Sequence, residues 1–299
     1  MQFGVASMSS RLEKVAVRKP SAILHADPHV WHYTKVLDRE KLLDQFFSFV
    51  GLLEESGVEI LWFDDVPDDL ADSIFAYDPS FMTPHGAVIL RPGKVRRLGE
   101  IEVHRRFYEV MDIPIIGEIK GQGTVEGGDC FWLDDSTLAV GRGFRSNEEG
   151  INQLSNILSS FGIDMLQFDL PSYDDPDACL HLMSIVSPLD HDLALVFKPL
   201  LPDSLHDVLT DFGFELLFAP DNEFESSLGL SLNVLAVSER NVIAIEGFDK
   251  TKELMEGAGC SVSTFAGDEL CIPCEGGPTC LTRPVLRLSL IHISEPTRP

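Results

Sequence analysis

Residues 127–143 read GGDCFWLDDSTLAVGRG. Two short apolar runs, CFWL and TLAV, flank the turn-forming Asp134, Asp135 and Ser136, the pattern of a β-hairpin. NEEGINQLSNILSSFG (147–162) follows with apolar residues at helical spacing; Asn147 is placed to cap its first turn and Gly162 to stop it. MLQFDL (165–170) then reads as one further strand.

The same order recurs along the chain. LMSIVSPLDHDLALVF leads into PDSLHDVLTDFG and FELLFA, and NVLAVSERNVIAIEG leads into DKTKELMEGAG and CSVSTFA. Upstream, DPSFMTPHGAVILRP leads into RLGEIEVHRRFYEVM and IPIIGEI, and a first unit ends with DREKLLDQFFSFVGLLEESG and VEILWFDD. The strands after the helices begin near Val58, Ile113, Met165, Phe214 and Cys260, roughly fifty residues apart, a spacing that marks a repeat architecture. Five ββαβ units therefore fill the chain, with a strand over 280–287 available to close the ring. This predicts a single α/β domain over residues 1–287, a five-unit pseudo-symmetric α/β propeller, with an open α/β sandwich as the runner-up. Residues related by such a repeat converge, and just ahead of the hairpins stand Asp78, Glu126, His181, a segment near Asn233, and Cys280. Two acids, a histidine and a cysteine at one level are the parts of a nucleophilic site.

Composition limits what such a site can serve. The formal net charge of −25 excludes nucleic acid and anionic membranes, which need basic patches, and suits a small cationic substrate. Apolar runs such as ALVF and NVLAV fall far short of a membrane span of roughly 20 residues. The first residues lack the apolar core of a secretory signal, so a cytoplasmic location is expected. Six cysteines in a chain of this size do not read as a disulfide framework. LSLIHISEPTRP (288–299) resembles the translation of a sequencing adapter and is set aside as an artefactual tail.

Four segments, ADSIFAYDPSF (71–81), TVEGGDCFWLDDSTLAVGRGFRSNEEGI (124–151), CLHLMS (179–184) and GGPTCLTRPVLR (276–287), together resemble the guanidine-modifying superfamily of arginine deiminases, dimethylarginine dimethylaminohydrolases and amidinotransferases. That resemblance implies a five-unit α/β propeller with Cys280 as nucleophile, His181 as general acid and base, and Glu126 and Asp78 as carboxylates gripping a guanidinium. It further implies Asp72 as a second acidic substrate contact, Arg145 as holder of a substrate carboxylate and Arg97 as a second holder; Asp129, in the same EGGD turn as Glu126, reads as either structural or substrate-facing. Arginine deiminases carry an aspartate where this chain has Met183, which favours the dimethylargininase-like branch. The implied reaction is hydrolysis of a guanidinium C–N bond through a thiouronium on Cys280, giving citrulline and an amine or ammonia. It needs no metal and no organic cofactor. Capture of the same intermediate by an amine would make an amidinotransferase, and a non-catalytic binder of arginine-like ligands is the rival from another class. The expected partner is a small cationic guanidine, with a homodimer left open.

Cys271 and Cys274 form a C-x-x-C, but a structural zinc site wants four ligands and no second pair exists, so packed thiols are expected. The segment HADPHVWHY (25–33) is expected to cover the site.

Overall fold

The helices of this chain draw most of their stability from burying an apolar stripe against the strands on either side. Glu148–Ser159 shows how. The Asn147 side chain accepts a hydrogen bond from Gly150 N at 2.9 Å, and Ile151, Leu154 and Leu158 form the buried stripe. Gly162 then turns the chain with φ +72°. The hairpin Cys130–Trp132 and Thr137–Arg142 is antiparallel, and Asp164–Asp169 pairs parallel to its second strand, with the helix as crossover.

The computed structural model describes residues 3–64, 67–171 and 180–288. Within them the pattern repeats in the hairpins Ser80–Thr83 with Gly86–Ile89, Val186–Pro188 with Leu193–Val196, and Leu235–Ser238 with Asn241–Ile245. The parallel third strands are Ile115–Glu118, Glu215–Phe218 and Ser261–Phe265. The first unit is assembled from both ends of the chain: Leu12–Val17 pairs parallel with Glu59–Trp62 and antiparallel with Arg283–Arg287. The described residues thus form five three-stranded sheets, with no wide sheet of the kind an open sandwich needs. Every strand after a helix begins within two residues of its expected start.

Two local expectations are corrected. The closing strand begins at Arg283, not at residue 280, because Leu281 N bonds Gly277 O and Thr282 N bonds Thr279 O, which keeps Cys280 in a turn. Short helices at Pro28–Trp31 and Asp221–Ser226 were not foreseen, since four and six residues carry too little periodicity. The adapter-like tail beyond Leu288 and the segment 172–179, with Cys179, lie outside the described residues.

Apolar packing runs from unit to unit. One buried cluster joins the first three units through Phe63, Phe81, Tyr108 and Trp132; another joins the third and fourth through Phe131 and Leu205; a third joins the fourth and fifth through Leu195 and Val242. The fifth unit packs on the first, where the Phe49 and Phe265 rings lie 5.0 Å apart. Among the described residues no helix is long and apolar enough to cross a membrane.

Candidate active site

Asp78, Glu126, His181 and Cys280 each sit in the few residues ahead of a strand, and all four line one cavity of about 280 Å³. That volume suits an amino-acid-sized ligand, near the lower end of ordinary ligand pockets. Asp72, Lys94, Arg97, Arg145, Trp31 and Cys274 complete most of its wall.

Glu126 is fully buried just before the Gly127–Asp129 turn. Its Oε2 lies 2.7 Å from His181 Nε2, its Oε1 accepts from Gly93 N at 2.9 Å, and Arg145 Nη1 stands 3.8 Å from Oε1. Burial works against the charged form, but the hydrogen bond and charge of His181, with Arg145 and Arg97 beyond, hold the carboxyl down at about 2. The His181 backbone N donates to Ser184 Oγ at 3.0 Å, and its ring packs on Gly128, where a Cβ would stand 2.6 Å from Nδ1. Only glycine permits that approach.

Asp78 accepts from Gly128 N at 3.1 Å through Oδ1 and pairs with Arg97 Nη1 at 2.5 Å through Oδ2. Arg97 also meets Glu100 through Nε and Nη2, both at 2.9 Å, and donates to Phe75 O at 2.8 Å. Arg97 thus lines the cavity, where it was expected, and its guanidinium also anchors Asp78 and Glu100.

Cys280 is half-buried, and Asn233 Nδ2 donates to its Sγ at 3.3 Å while Asn233 Oδ1 accepts from Thr279 N at 3.0 Å. Tyr77 N donates to Cys280 O at 3.2 Å, tying the thiol's turn to the strand lead-in that carries Asp78. The turn's glycines serve close packing: a Cβ would stand 2.2 Å from the Phe75 ring at Gly276 and 2.5 Å from the Asn233 side chain at Gly277. Burial pushes the thiols of Cys271 and Cys274 upward, which suits packed thiols, although Cys274 reaches the cavity.

Asp129 does not line this cavity. It is fully buried, its Oδ2 accepts from Ser146 Oγ at 2.5 Å and its Oδ1 from Leu182 N at 2.9 Å. The substrate-facing alternative is therefore corrected to a brace beneath His181. Burial, opposed by the charge of His181 and by these hydrogen bonds, pushes Asp129 up to about 6 from an ordinary 3.8. A carboxyl raised on folding contributes stability that is fully present below its unfolded value and lost as pH rises through its folded value. Asp129→Asn is accordingly expected to be less stable overall but to flatten the decline in unfolding free energy between about pH 4 and 6, read by urea denaturation across that range. A slope identical to the parent protein's would contradict the assignment.

On the same wall, Asp72 accepts from Tyr33 OH at 2.8 Å and pairs with Lys94 Nζ at 2.8 Å. Lys94 Nζ also lies 5.7 Å from the Trp31 ring centroid. Trp31 and His32 bring the segment 25–33 onto the cavity wall. Lys94, Tyr33 and Glu100 escaped sequence reading. Lys94 stands in the same RPGKVRRLGE stretch as Arg97, and nothing local says which of its cations turns inward. Met183 is buried in the apolar cluster with Phe131 and Leu182 and adds no charge to the site.

The ligand atoms of Asp78, Glu126 and His181 lie within 4.8 Å of one another, close enough to hold a metal ion. Arg97 on Asp78 and Arg145 near Glu126 already place positive charge against two of the three, which opposes a divalent cation. A planar organic cation that hydrogen-bonds to carboxylates fits the arrangement better.

A family model described as arginine deiminase matches residues 64–213. The chain belongs to the arginine deiminase family. The N(G),N(G)-dimethylarginine dimethylaminohydrolase of Pseudomonas aeruginosa is 28% identical over 251 residues, 82% of this chain and 89% of that one. The enzyme of that name from Streptomyces coelicolor is 30% identical over 193 residues, 63% of this chain and 69% of its own. Among solved structures, the P. aeruginosa enzyme complexed with citrulline superposes with a TM-score of 0.75 at 23% identity, covering 93% of this chain and 100% of that one. An amidinotransferase of saxitoxin biosynthesis from Microseira wollei superposes with a TM-score of 0.78 at 16% identity, covering 96% and 98%. Both superpositions show that the fold is shared.

Proposed function

We propose that the protein is a cysteine-dependent hydrolase that cleaves a C–N bond of a guanidinium substrate, a methylated arginine or arginine, giving citrulline and an amine or ammonia. The observation that carries this reading is the gathering of Cys280, the His181–Glu126 pair and Asp78 on one cavity. The names of the relatives support it, as does the succession of five sheets with the fifth packed on the first, which we read as a five-bladed propeller with the site on its axis.

A guanidinium carbon is a poor electrophile because its charge is spread over three nitrogens. Asp78 and Glu126 would orient the plane and hold positive character on carbon. The Cys280 thiolate attacks that carbon and forms a C–S bond. His181, as imidazolium beside Glu126, gives its proton to the departing nitrogen, the C–N bond breaks, and a thiouronium remains on Cys280. Neutral His181 then takes a proton from water, the resulting hydroxide adds to the carbon, and loss of the C–S bond, with the added hydroxyl giving up its proton to solvent, returns the thiolate with a ureido product. Asn233 steadies the sulfur through both states.

Other side chains on the cavity wall would fix the rest of the molecule. Arg145 and Lys94 supply cations for a carboxylate, and Asp72 supplies an anion for an ammonium. Lys94→Met is expected to raise KM for carboxylate-bearing guanidines about tenfold, with a smaller effect on guanidines that lack a carboxylate. Equal effects on both kinds would place Lys94 outside substrate recognition.

Colorimetric citrulline assays with arginine, methylated arginines and agmatine, in the presence of EDTA, test the whole reading. Turnover of a guanidine with release of ammonia or methylamine is the expected result; ligand binding without turnover would leave a binding protein, and product formed only when an amine acceptor is added would make it an amidinotransferase.

A further inference from the structure

The five units meet again at a second, far smaller cavity of about 20 Å³, with Tyr77, Trp132, Met183, Ala236, Arg283 and Arg287 among its walls. Two guanidinium groups there are buried, at 2% and 3% exposure. Arg283 Nη1 donates to Tyr77 O at 2.9 Å and Ser80 O at 2.5 Å, and its guanidinium carbon lies 4.1 Å from the Tyr77 ring centroid. Arg287 donates to Ser10 O at 2.5 Å and Ala236 O at 2.7 Å. Among the described residues no carboxylate forms an ion pair with either, in contrast to Arg97 with its two. Carbonyl dipoles answer only part of a full charge, and buried charges are ordinarily paired. Two further donors at the same cavity, Arg283 Nε and Trp132 Nε1, are buried without an acceptor among the described residues, which is uncommon in folded proteins.

We propose that this cavity is a binding site for one monatomic anion, chloride in ordinary conditions, held between Arg283, Arg287 and the Trp132 indole N–H. The cavity is more than tenfold smaller than the catalytic one, which favours a monatomic anion over sulfate or phosphate. A water could accept from the two donors but would leave both guanidinium charges uncompensated. The site bears on the catalytic cavity through the backbone: Tyr77 O accepts from Arg283, Tyr77 N donates to Cys280 O, and Asp78 follows directly. An anion on Arg283 therefore steadies the lead-ins that carry Cys280 and Asp78.

The test is thermal unfolding of the full chain at constant ionic strength as chloride replaces gluconate from about 1 to 100 mM. Tm is expected to rise by about 5 °C, bromide is expected to act like chloride, and sulfate is expected not to. Trp132→Phe keeps the ring and removes the N–H, and is expected to shift the chloride midpoint about tenfold upward while Tm in gluconate is retained. A crystal grown in bromide should show an anomalous peak between Arg283 and Arg287. Equal Tm in chloride and gluconate, a chloride response unchanged in Trp132→Phe, or bromide found at surface sites only would each overturn the proposal.

Discussion

Replacing Cys280 with serine is expected to lower kcat for guanidine hydrolysis by about 10⁴-fold or more, with little change in substrate affinity or fold. A serine hydroxyl still accepts from Asn233 Nδ2 and fits a half-buried turn, so the loss falls on chemistry. An alcohol ionises far less readily than a thiol, whose ordinary pKa is about 8.5, and His181 is engaged with Glu126 at 2.7 Å. The measurements are single-turnover kinetics with the best guanidine and calorimetric titration of the same ligand. Activity above about one tenth of the parent's would remove Cys280 from the nucleophile's place.

Arg97→Met is expected to destabilise the protein by about 3–5 kcal/mol, the range for removing one partner of a buried ion pair. Arg97 is 5% exposed and is shared between Asp78 and Glu100. Even with Arg97 in place, burial pushes Glu100 up to about 7, against the pull of the arginine, so without it Glu100 takes up a proton. Asp78 loses its anchor at the same moment, and kcat/KM falls with it. Arg97→Met combined with Glu100→Met removes both members of one pair and is expected to be less destabilising than the two single changes summed. Strict additivity in chemical denaturation would show that the pair is not energetically coupled.

These two residues mark different degrees of legibility. Cys280 could be singled out because the hairpin repeat places it in register with Asp78, Glu126 and His181, and the structure brings all four to one cavity. Asn233 occupied the same place in its own repeat, and it is the residue that reaches the sulfur. Arg97 was legible as a cation of the site, but its acidic partners were not: in a loop of three arginines and a lysine, only the approach of Glu100, one helical turn along, shows which cation anchors acids. Asp129 was ambiguous for a similar reason, since the EGGD turn does not say which acid points at the cavity and which braces Leu182 N.

Hairpin, helix and strand periodicity determined the five units by itself, because alternation and helical spacing are local properties that survive without tertiary context. The membership of Asp78, Glu126, His181 and Cys280 in one set was determined the same way, as a consequence of repetition. Tertiary structure alone decided how charge is distributed among them. Burial and the choice of partner set whether an acid grips a ligand, holds a histidine or braces a turn, and those partners lie tens to hundreds of residues away in the chain: Glu126 from His181, Asp72 from Tyr33, Arg283 from Tyr77.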